Sequence, residues 1–314
     1  MTVERIPVSS GGPEGTNSAY VLPERGVLVD PGPPGEEAWA ELRDGMREAG
    51  VAVADVDHVI ATHWHADHVG LTARVAAAAD ATIHMHERDA PLLADYAAER
   101  ERRLRRDRRT MRSWGVPPAL ATAVVDGDRP SPLPDETPVE AHAAGDAVAG
   151  ATILHTPGHT EGHLAVSIDG HLFVGDTLLP MYTPNVGGSD TRTRNPLSAF
   201  LESLDRLERR GGTIHPGHGT SIETPERFDA IREHHRTRSR RVFDCVTTLD
   251  RPTPWAIAEE LFGEMQGVHA KFGAGEAAAH LSHLTTHGDV ARVGDEPLRF
   301  EARRDPNAGP TAFE

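Results

Sequence analysis

The sequence predicts an α+β protein with one large domain followed by a smaller one. Three observations carry this. Short apolar runs alternate with amphipathic stretches as far as His86, which is how strands and helices differ in hydrophobic period. Four apolar runs end abruptly in His or Asp beside glycine, as strands do where a loop opens above a sheet. Beyond His218 the pattern changes to helical stretches. A chain of 314 residues is long enough for a core without disulfides.

Taken in order, Val3 to Val8 reads as an edge strand, and Val27-Leu28-Val29 as a strand closed by Asp30-Pro31-Gly32. Glu36 to Glu48 has Trp39, Leu42 and Met46 on one helical face. Val56 to Thr62 is a buried strand, followed at once by His63-Trp64-His65-Ala66-Asp67-His68. Residues from about Glu87 to Ala144 form an insertion too long for a simple loop. Leu93, Ala97, Leu104 and Met111 give its first part a helical stripe, and Asp126 to Pro138 reads as loop. Ala151 to Leu154 is a strand before Thr156-Pro157-Gly158-His159-Thr160. Phe173-Val174 leads into Gly175-Asp176, and Ile214 into His215-Pro216-Gly217-His218-Gly219. Leu178 to Asp190 is a long loop directly after Asp176, with Tyr182 and Asn185 as candidate substrate contacts or, equally, as loop packing. Pro196 to Arg210 is a helix, with Asn195 as its N-cap and Gly211-Gly212 as its stop.

After that, Pro225 to about Leu249, Trp255 to Phe262 and Glu276 to Thr286 read as helices, and Gly288 to Val293 as a wing hairpin. Residues 303 to 314 are expected to fray. The domain reading is 1–224, with the insertion at about 87–144, and 225–314.

The chemistry lies in the His and Asp residues at the strand ends. Imidazole and carboxylate are the donors that zinc and similar divalent ions take. Three imidazoles and one carboxylate within six residues, with further ones at distant strand ends, are how a metal site is gathered from separate parts of a chain. The order H-x-H-x-D-H, T-P-G-H-T, G-D and H-P-G-H-G, with Asp30 after an early strand, resembles the metallo-β-lactamase superfamily over about residues 3 to 222. The resemblance implies an αββα sandwich with a two-metal site at one edge. It implies that His63, His65 and His159 hold one ion, that Asp67, His68 and His218 hold the other, and that Asp176 bridges them with a hydroxide. Asp176 stands where lactamases of the family carry a cysteine ligand, which draws the chain toward the glyoxalase II branch. Asp67 would also orient the attacking water, as the catalytic residue. Asp30 would lock an imidazole tautomer from behind, or serve as a turn residue before Pro-Gly. The C-terminal region resembles the winged-helix-like tail of small lactamase-like hydrolases. Its other reading is a helical cap or a homo-oligomer contact.

The resemblance thus implies a hydrolase with two divalent ions, zinc first, with iron or manganese as alternatives, acting on a thioester or other small acyl ester. Three other readings share parts of the pattern. A phosphodiesterase or endoribonuclease would use the same donors. A persulfide dioxygenase would hold one iron on His63, His159 and Asp176. A non-catalytic interaction domain would use metal only to hold its fold.

Composition narrows the setting. The single cysteine, Cys245, cannot form an internal bridge, and it reads as a buried structural thiol in a reducing, cytoplasmic setting. Met1 leads directly into the first strand, and no apolar run approaches a membrane span. The net charge is −16, and Lys271 is the only lysine, a pattern of halophilic or GC-rich sources. Such acidity disfavours long nucleic acids. Glu276-Ala277-Ala278-Ala279-His280-Leu281 is not a basic recognition helix, so DNA is not expected as a partner and RNA is not favoured. Eight arginines lie between Arg100 and Arg112. They read as a solvated face or, through Arg102, Arg105 and Arg109, as receivers of an anionic small-molecule substrate.

Overall fold

The computed structural model describes residues 1–12, 15–222, 226–305 and 308–313; the expected boundary at 224–225 lies outside them. The early apolar runs become a six-stranded sheet. β1 (Glu4–Gly12) and β2 (Gly15–Leu22) pair antiparallel, and β3 (Val27–Val29) continues antiparallel to β2. Then come α1 (Glu36–Glu48), β4 (His58–Ile60), the short α2 (Ala66–Val69), α3 (Thr72–Ala79) and β5 (Thr82–His86). The insertion supplies α4 (Pro91–Ala94), α5 (Tyr96–Ser113) and α6 (Pro118–Gly127). Its last residues, Glu140–His142, are not insertion but strand β6, which closes the sheet parallel to β5. Three residues carrying Glu and His give no apolar run, so this strand has no hydrophobic signal.

The second sheet has five strands in the order β11-β10-β9-β8-β7. They are β7 (Ala147–Val148), β8 (Ala151–His155), β9 (Leu164–Ile168), β10 (His171–Gly175) and, after α7 (Pro196–Arg210), β11 (Thr213–Pro216). The tail comprises α8 (Glu226–Thr248), α9 (Pro254–Phe262), α10 (Val268–Thr286) and the hairpin β12 (Val290–Asp295) and β13 (Leu298–Ala302). None of these helices is long and apolar enough to cross a membrane.

Alternation along the strands sorts side chains into two apolar layers. Leu28, Val59, Ile83 and Met85 pack with Leu42 and Met46 of α1 and Val75 of α3. Val27, Val29 and Ile60 point the other way and meet Ile153, Leu164, Val166 and Phe173 of the second sheet. The last turns of α7 cover that second sheet, where Ser203 Oγ donates to Pro157 O at 2.9 Å and Arg210 Nε to Ser167 Oγ at 3.0 Å. The result is an α+β protein with an αββα sandwich. These layers belong to a unit made of Met1–Arg100, Pro130–Pro184 and Ser203–Arg227.

The other unit is Glu101–Arg129, Asn185–Glu202 and Phe228–Glu314. Its centre is α10, which is buried almost all round and rich in Gly and Ala. The sequence reading starts this helix at Glu276; the helix begins at Val268 and runs through Gly273 and Gly275. Gly275 is needed for close packing: a Cβ there would lie 2.4 Å from Gly188 Cα. Asn195 does not cap α7 with its side chain. Its Nδ2 donates to Thr286 Oγ1 at 3.0 Å and its Oδ1 is buried without a partner. The expected fraying of the C-terminus stops short of Thr311 and Ala312, whose backbone N–H groups donate to the buried Asp289 carboxylate at 2.9 and 3.0 Å. Lys271 is no surface lysine. Its ammonium lies 2.8 Å from Asp107 Oδ2, while Thr191 Oγ1 donates to Asp107 Oδ1 at 2.7 Å. Cys245 is buried, and burial pushes its thiol pKa upward, away from the thiolate a nucleophile needs.

Candidate metal centre

Strand ends build the centre. β4 stops at Ile60 and the chain turns through Thr62 to present His63 and His65; Asp67 and His68 come next, on α2. β8 ends just before His159, β10 delivers Asp176, and β11 delivers His218. Asn17 of β2 bridges to His218 in backbone pairing, and Ser18 N–H donates to Gly217 O at 2.8 Å. Tyr20 O–H donates to Pro216 O at 2.8 Å. The β11 turn is thereby fastened to the first sheet.

All seven expected donors converge. His63, His65 and His159 form one close group, Asp67, His68 and His218 another, and Asp176 joins His63 and His68 in a third. His65 Nδ1 lies 3.0 Å from His63 Nε2 and 3.1 Å from His159 Nε2. His218 Nε2 lies 3.3 Å from Asp67 Oδ2 and 3.6 Å from Asp176 Oδ2. His68 Nε2 is 3.5 Å from both Asp67 Oδ2 and Asp176 Oδ1, and His159 Nε2 is 3.7 Å from Asp176 Oδ2. Two donors on one tetrahedral zinc, at Zn–N of about 2.0–2.1 Å, are separated by about 3.3 Å. The spacings bracket that value.

The fit also shows in what is left unpaired. His68 Nε2, His218 Nε2 and Asp176 Oδ1 are buried without a hydrogen-bond partner, which ordinarily costs about 1–3 kcal/mol each. All three face the centre. Gly217 belongs to the same design, since a Cβ there would come within 2.4 Å of Asp176 Oδ1.

Electrostatics give the same reading. Asp30, Asp67 and Asp176 have only imidazoles as cationic partners among the described residues. Burial pushes His63 well below the ordinary imidazole range, and burial with His159 nearby takes His65 to about 3. Burial opposes charge on His68 too, but Asp176, Asp67 and Asp30 override it and hold His68 well above that range. Against burial, Asp176 and Asp67 likewise raise His218 to about 9. Burial would raise both carboxyls as well, yet His68 and His218 hold Asp67 and Asp176 far below the usual carboxylate range. The acidic centre therefore favours positive charge among its imidazoles, the condition a bound divalent cation would meet.

Outer contacts fix the donors. Asp30 Oδ2 lies 2.9 Å from His68 Nδ1 and accepts from Thr62 Oγ1 at 2.7 Å; its Oδ1 accepts from Thr62 N–H at 2.7 Å. Asp30 is also a turn residue with φ of 49°. Three supporting residues were missing from the sequence reading, and for Asn17 and Asp89 the sequence carries no signal. Asn17 Nδ2 donates to Asp67 O at 3.0 Å and approaches Asp67 Oδ2 at 3.3 Å. Asp89, fully buried, accepts from Thr160 Oγ1 at 2.7 Å and Gly162 N–H at 2.9 Å, which shapes the turn carrying His159. His163 Nε2 accepts from Asp176 N–H at 3.1 Å, so its Nδ1 carries the proton and donates to Thr156 Oγ1 at 2.8 Å. The ring of His163 stacks on His63. The spacing H-T-E-G-H would have offered His163 as a partner of His159.

The remaining candidates have the following contacts. Tyr182 is exposed, and its carbonyl accepts from Arg227 Nη2 at 2.6 Å, while Arg227 Nε donates to Leu179 O at 2.6 Å. Asn185 belongs to the second unit, where its Oδ1 accepts from Gly188 N–H at 3.0 Å and Ser189 N–H at 2.9 Å. Its side chain shapes its own loop. Arg102, Arg105 and Arg109 lie on α5, also in the second unit, and Arg105 pairs with Glu101 at 3.2 Å.

Comparison with known proteins agrees with this geometry. Residues 11–218 match the family model of the metallo-beta-lactamase superfamily. The probable metallo-hydrolase YqjP of Bacillus subtilis is 28% identical over 82% of this chain and 84% of its own. An atrochrysone carboxyl ACP thioesterase of Passalora fulva is 26% identical over 92% of this chain and 74% of its own. The crystal structure of a metallo-beta-lactamase family protein from Thermus thermophilus superposes with a TM-score of 0.76 at 29% identity, covering 96% of this chain and 98% of that one. A family model spanning the whole run of strand-end donors, on a sandwich that gathers them at one edge, shows that this metal-dependent hydrolase belongs to the metallo-β-lactamase superfamily.

Proposed function

We propose that this chain is a two-metal hydrolase of thioesters or other small acyl esters. The observation that carries the proposal is the doubled donor set, with Asp176 between two groups of imidazoles. His63, His65 and His159 would hold one ion, Asp67, His68 and His218 the other, and Asp176 both. Such a pair supplies a water of lowered pKa and a Lewis acid for a carbonyl oxygen. A one-iron site drawn from His63, His159 and Asp176 would leave the buried His68 Nε2 and His218 Nε2 without partners, which argues against the dioxygenase reading.

The chain's own residues supply positioning. The Asp67 side chain is 35% exposed, against 4% for Asp30 and 7% for Asp176. It is therefore the centre's open carboxylate, held from behind by Asn17, and suited to orient a water and take its proton. Asp30 keeps the His68 proton on Nδ1 and frees Nε2 as a donor atom. The thioesterase named among the relatives supports an acyl thioester as substrate class.

The test is hydrolysis of S-acyl-N-acetylcysteamine thioesters by the zinc-loaded chain, beside a carboxylic ester and bis-p-nitrophenyl phosphate. Thioester cleavage that disappears with chelation and returns with Zn²⁺ is expected. Faster cleavage of the phosphodiester would move the chain to the nuclease reading.

A further inference from the structure

A second group of metal-binding side chains lies away from the centre. β5 and β6 run parallel with His84 opposite Glu140 and His86 opposite His142. Alternation puts His84, Glu140 and His142 on one face. Nδ1 of His84 lies 2.9 Å from Nε2 of His142, and these nitrogens lie 3.8 and 3.9 Å from the Glu140 carboxylate oxygens. We propose that His84 Nδ1, His142 Nε2 and Glu140 form a further site for a single divalent ion of the zinc type. It is separate from the centre above and independent of the hydrolase reading.

Three features carry this. The donor spacings lie on either side of the roughly 3.3 Å expected between donors on a tetrahedral zinc. They repeat the arrangement of the centre itself, where imidazole nitrogens also meet at 3.0 and 3.1 Å. His84 also has a hydrogen-bond partner behind its other nitrogen, as metal-bound imidazoles do: His84 Nε2 lies 3.0 Å from His58 Nδ1, while the nearest carboxylate to His142 Nδ1, Asp146 Oδ2, stands off at 3.8 Å. Finally, His84 and His142 are buried while the Glu140 side chain is 59% exposed. An ion can enter from the Glu140 side and keep a water there.

The competing account is a chain of hydrogen bonds from His58 through His84 to His142. It satisfies the imidazoles but gives Glu140 no task. Filling the site needs no net proton release. In the hydrogen-bond chain His58 Nδ1–H donates to His84 Nε2 and His84 Nδ1–H to His142 Nε2; on filling, the His84 proton moves to Nε2 and the His58 proton from Nδ1 to Nε2, so that His58 Nδ1 accepts, while the His142 proton stays on Nδ1.

The two accounts separate on zinc stoichiometry in the full chain. The protein is stripped with chelator, loaded with Zn²⁺, freed of loose ion by gel filtration and measured by plasma mass spectrometry. The His142→Gln variant should carry one equivalent less than the parent, with thioester hydrolysis within twofold. Equal zinc in parent and folded variant would establish the hydrogen-bond chain instead. Should His142→Gln not fold, the exposed Glu140→Gln decides: its Zn²⁺ affinity at this site should fall tenfold or more in a competitive titration, and an unchanged affinity overturns the site.

Discussion

Asp30→Asn removes one charge without changing volume, and the structure dictates how the damage spreads. Asp30 is 3% exposed and accepts three hydrogen bonds. In the variant, Oδ1 can still accept from Thr62 N–H, but the new amide donor faces Thr62 Oγ1 and His68 Nδ1. The Thr62 hydroxyl can rotate to accept. His68 Nδ1 can accept only by giving up its proton to Nε2, the nitrogen that faces Asp67 and Asp176. A protonated Nε2 cannot ligate. Loss of such an outer partner typically lowers metal affinity 10–100-fold, about 1.4–2.7 kcal/mol. Zinc titration by calorimetry should therefore show one weakened ion, the one shared by Asp67, His68 and His218, with the others little changed. Full affinity for every ion in a folded Asp30→Asn would refute the tautomer argument. Equal weakening of all ions would refute the division of donors.

Other contacts lead to further expected outcomes. Asp67→Asn should lower kcat by about 10²–10⁴ with little change in KM, the scale of a general-base or water-orienting group; normal turnover with a raised KM would count against it. If Arg102, Arg105 and Arg109 receive an anionic substrate, replacing them together by Gln should raise its KM and flatten the salt dependence, and unchanged kinetics would leave α5 as a solvated face. His235 is 2% exposed with both ring nitrogens unpartnered, and burial, with His234 and Arg238 adding to it, takes its pKa to about 3. Its folded pKa lies below the unfolded value near 6.5, so its stabilising share is whole above about pH 6.5 and lost as pH falls toward 3. At pH 5 the loss is about 2 kcal/mol. His235→Phe should accordingly show a smaller drop in Tm between pH 7 and pH 5 than the parent; an equal drop would mean this imidazole is not kept neutral.

The donors were legible in the sequence because each sits where a strong apolar run stops. Val59-Ile60, Ile153-Leu154, Phe173-Val174 and Ile214 mark strand ends without ambiguity, and the residues just past those ends must lie at one edge of the sandwich. The supporting residues lacked that signal. Asn17 and Asp89 act through hydrogen bonds to Asp67 and Thr160, 50 and 71 residues away, and no local pattern encodes such a pairing. Tyr182 and Asn185 were ambiguous for a different reason. A loop residue's side chain serves either the loop or a ligand, and only coordinates show that the Asn185 amide accepts from Gly188 and Ser189. β6 shows how this limit and the proposed further site are connected. Glu140-Ala141-His142 is too short and too polar to read as a strand. Yet parallel pairing with β5 sets its two polar side chains beside His84. A polar strand at a sheet edge loses apolar burial and must gain something from its neighbours. Here the only partners within reach of those side chains, among the described residues, are imidazoles and carboxylates. A cation shared among them would add a side-chain link between β5 and β6 to the backbone pairing. The zinc titration of His142→Gln therefore also asks what holds the edge of this sheet.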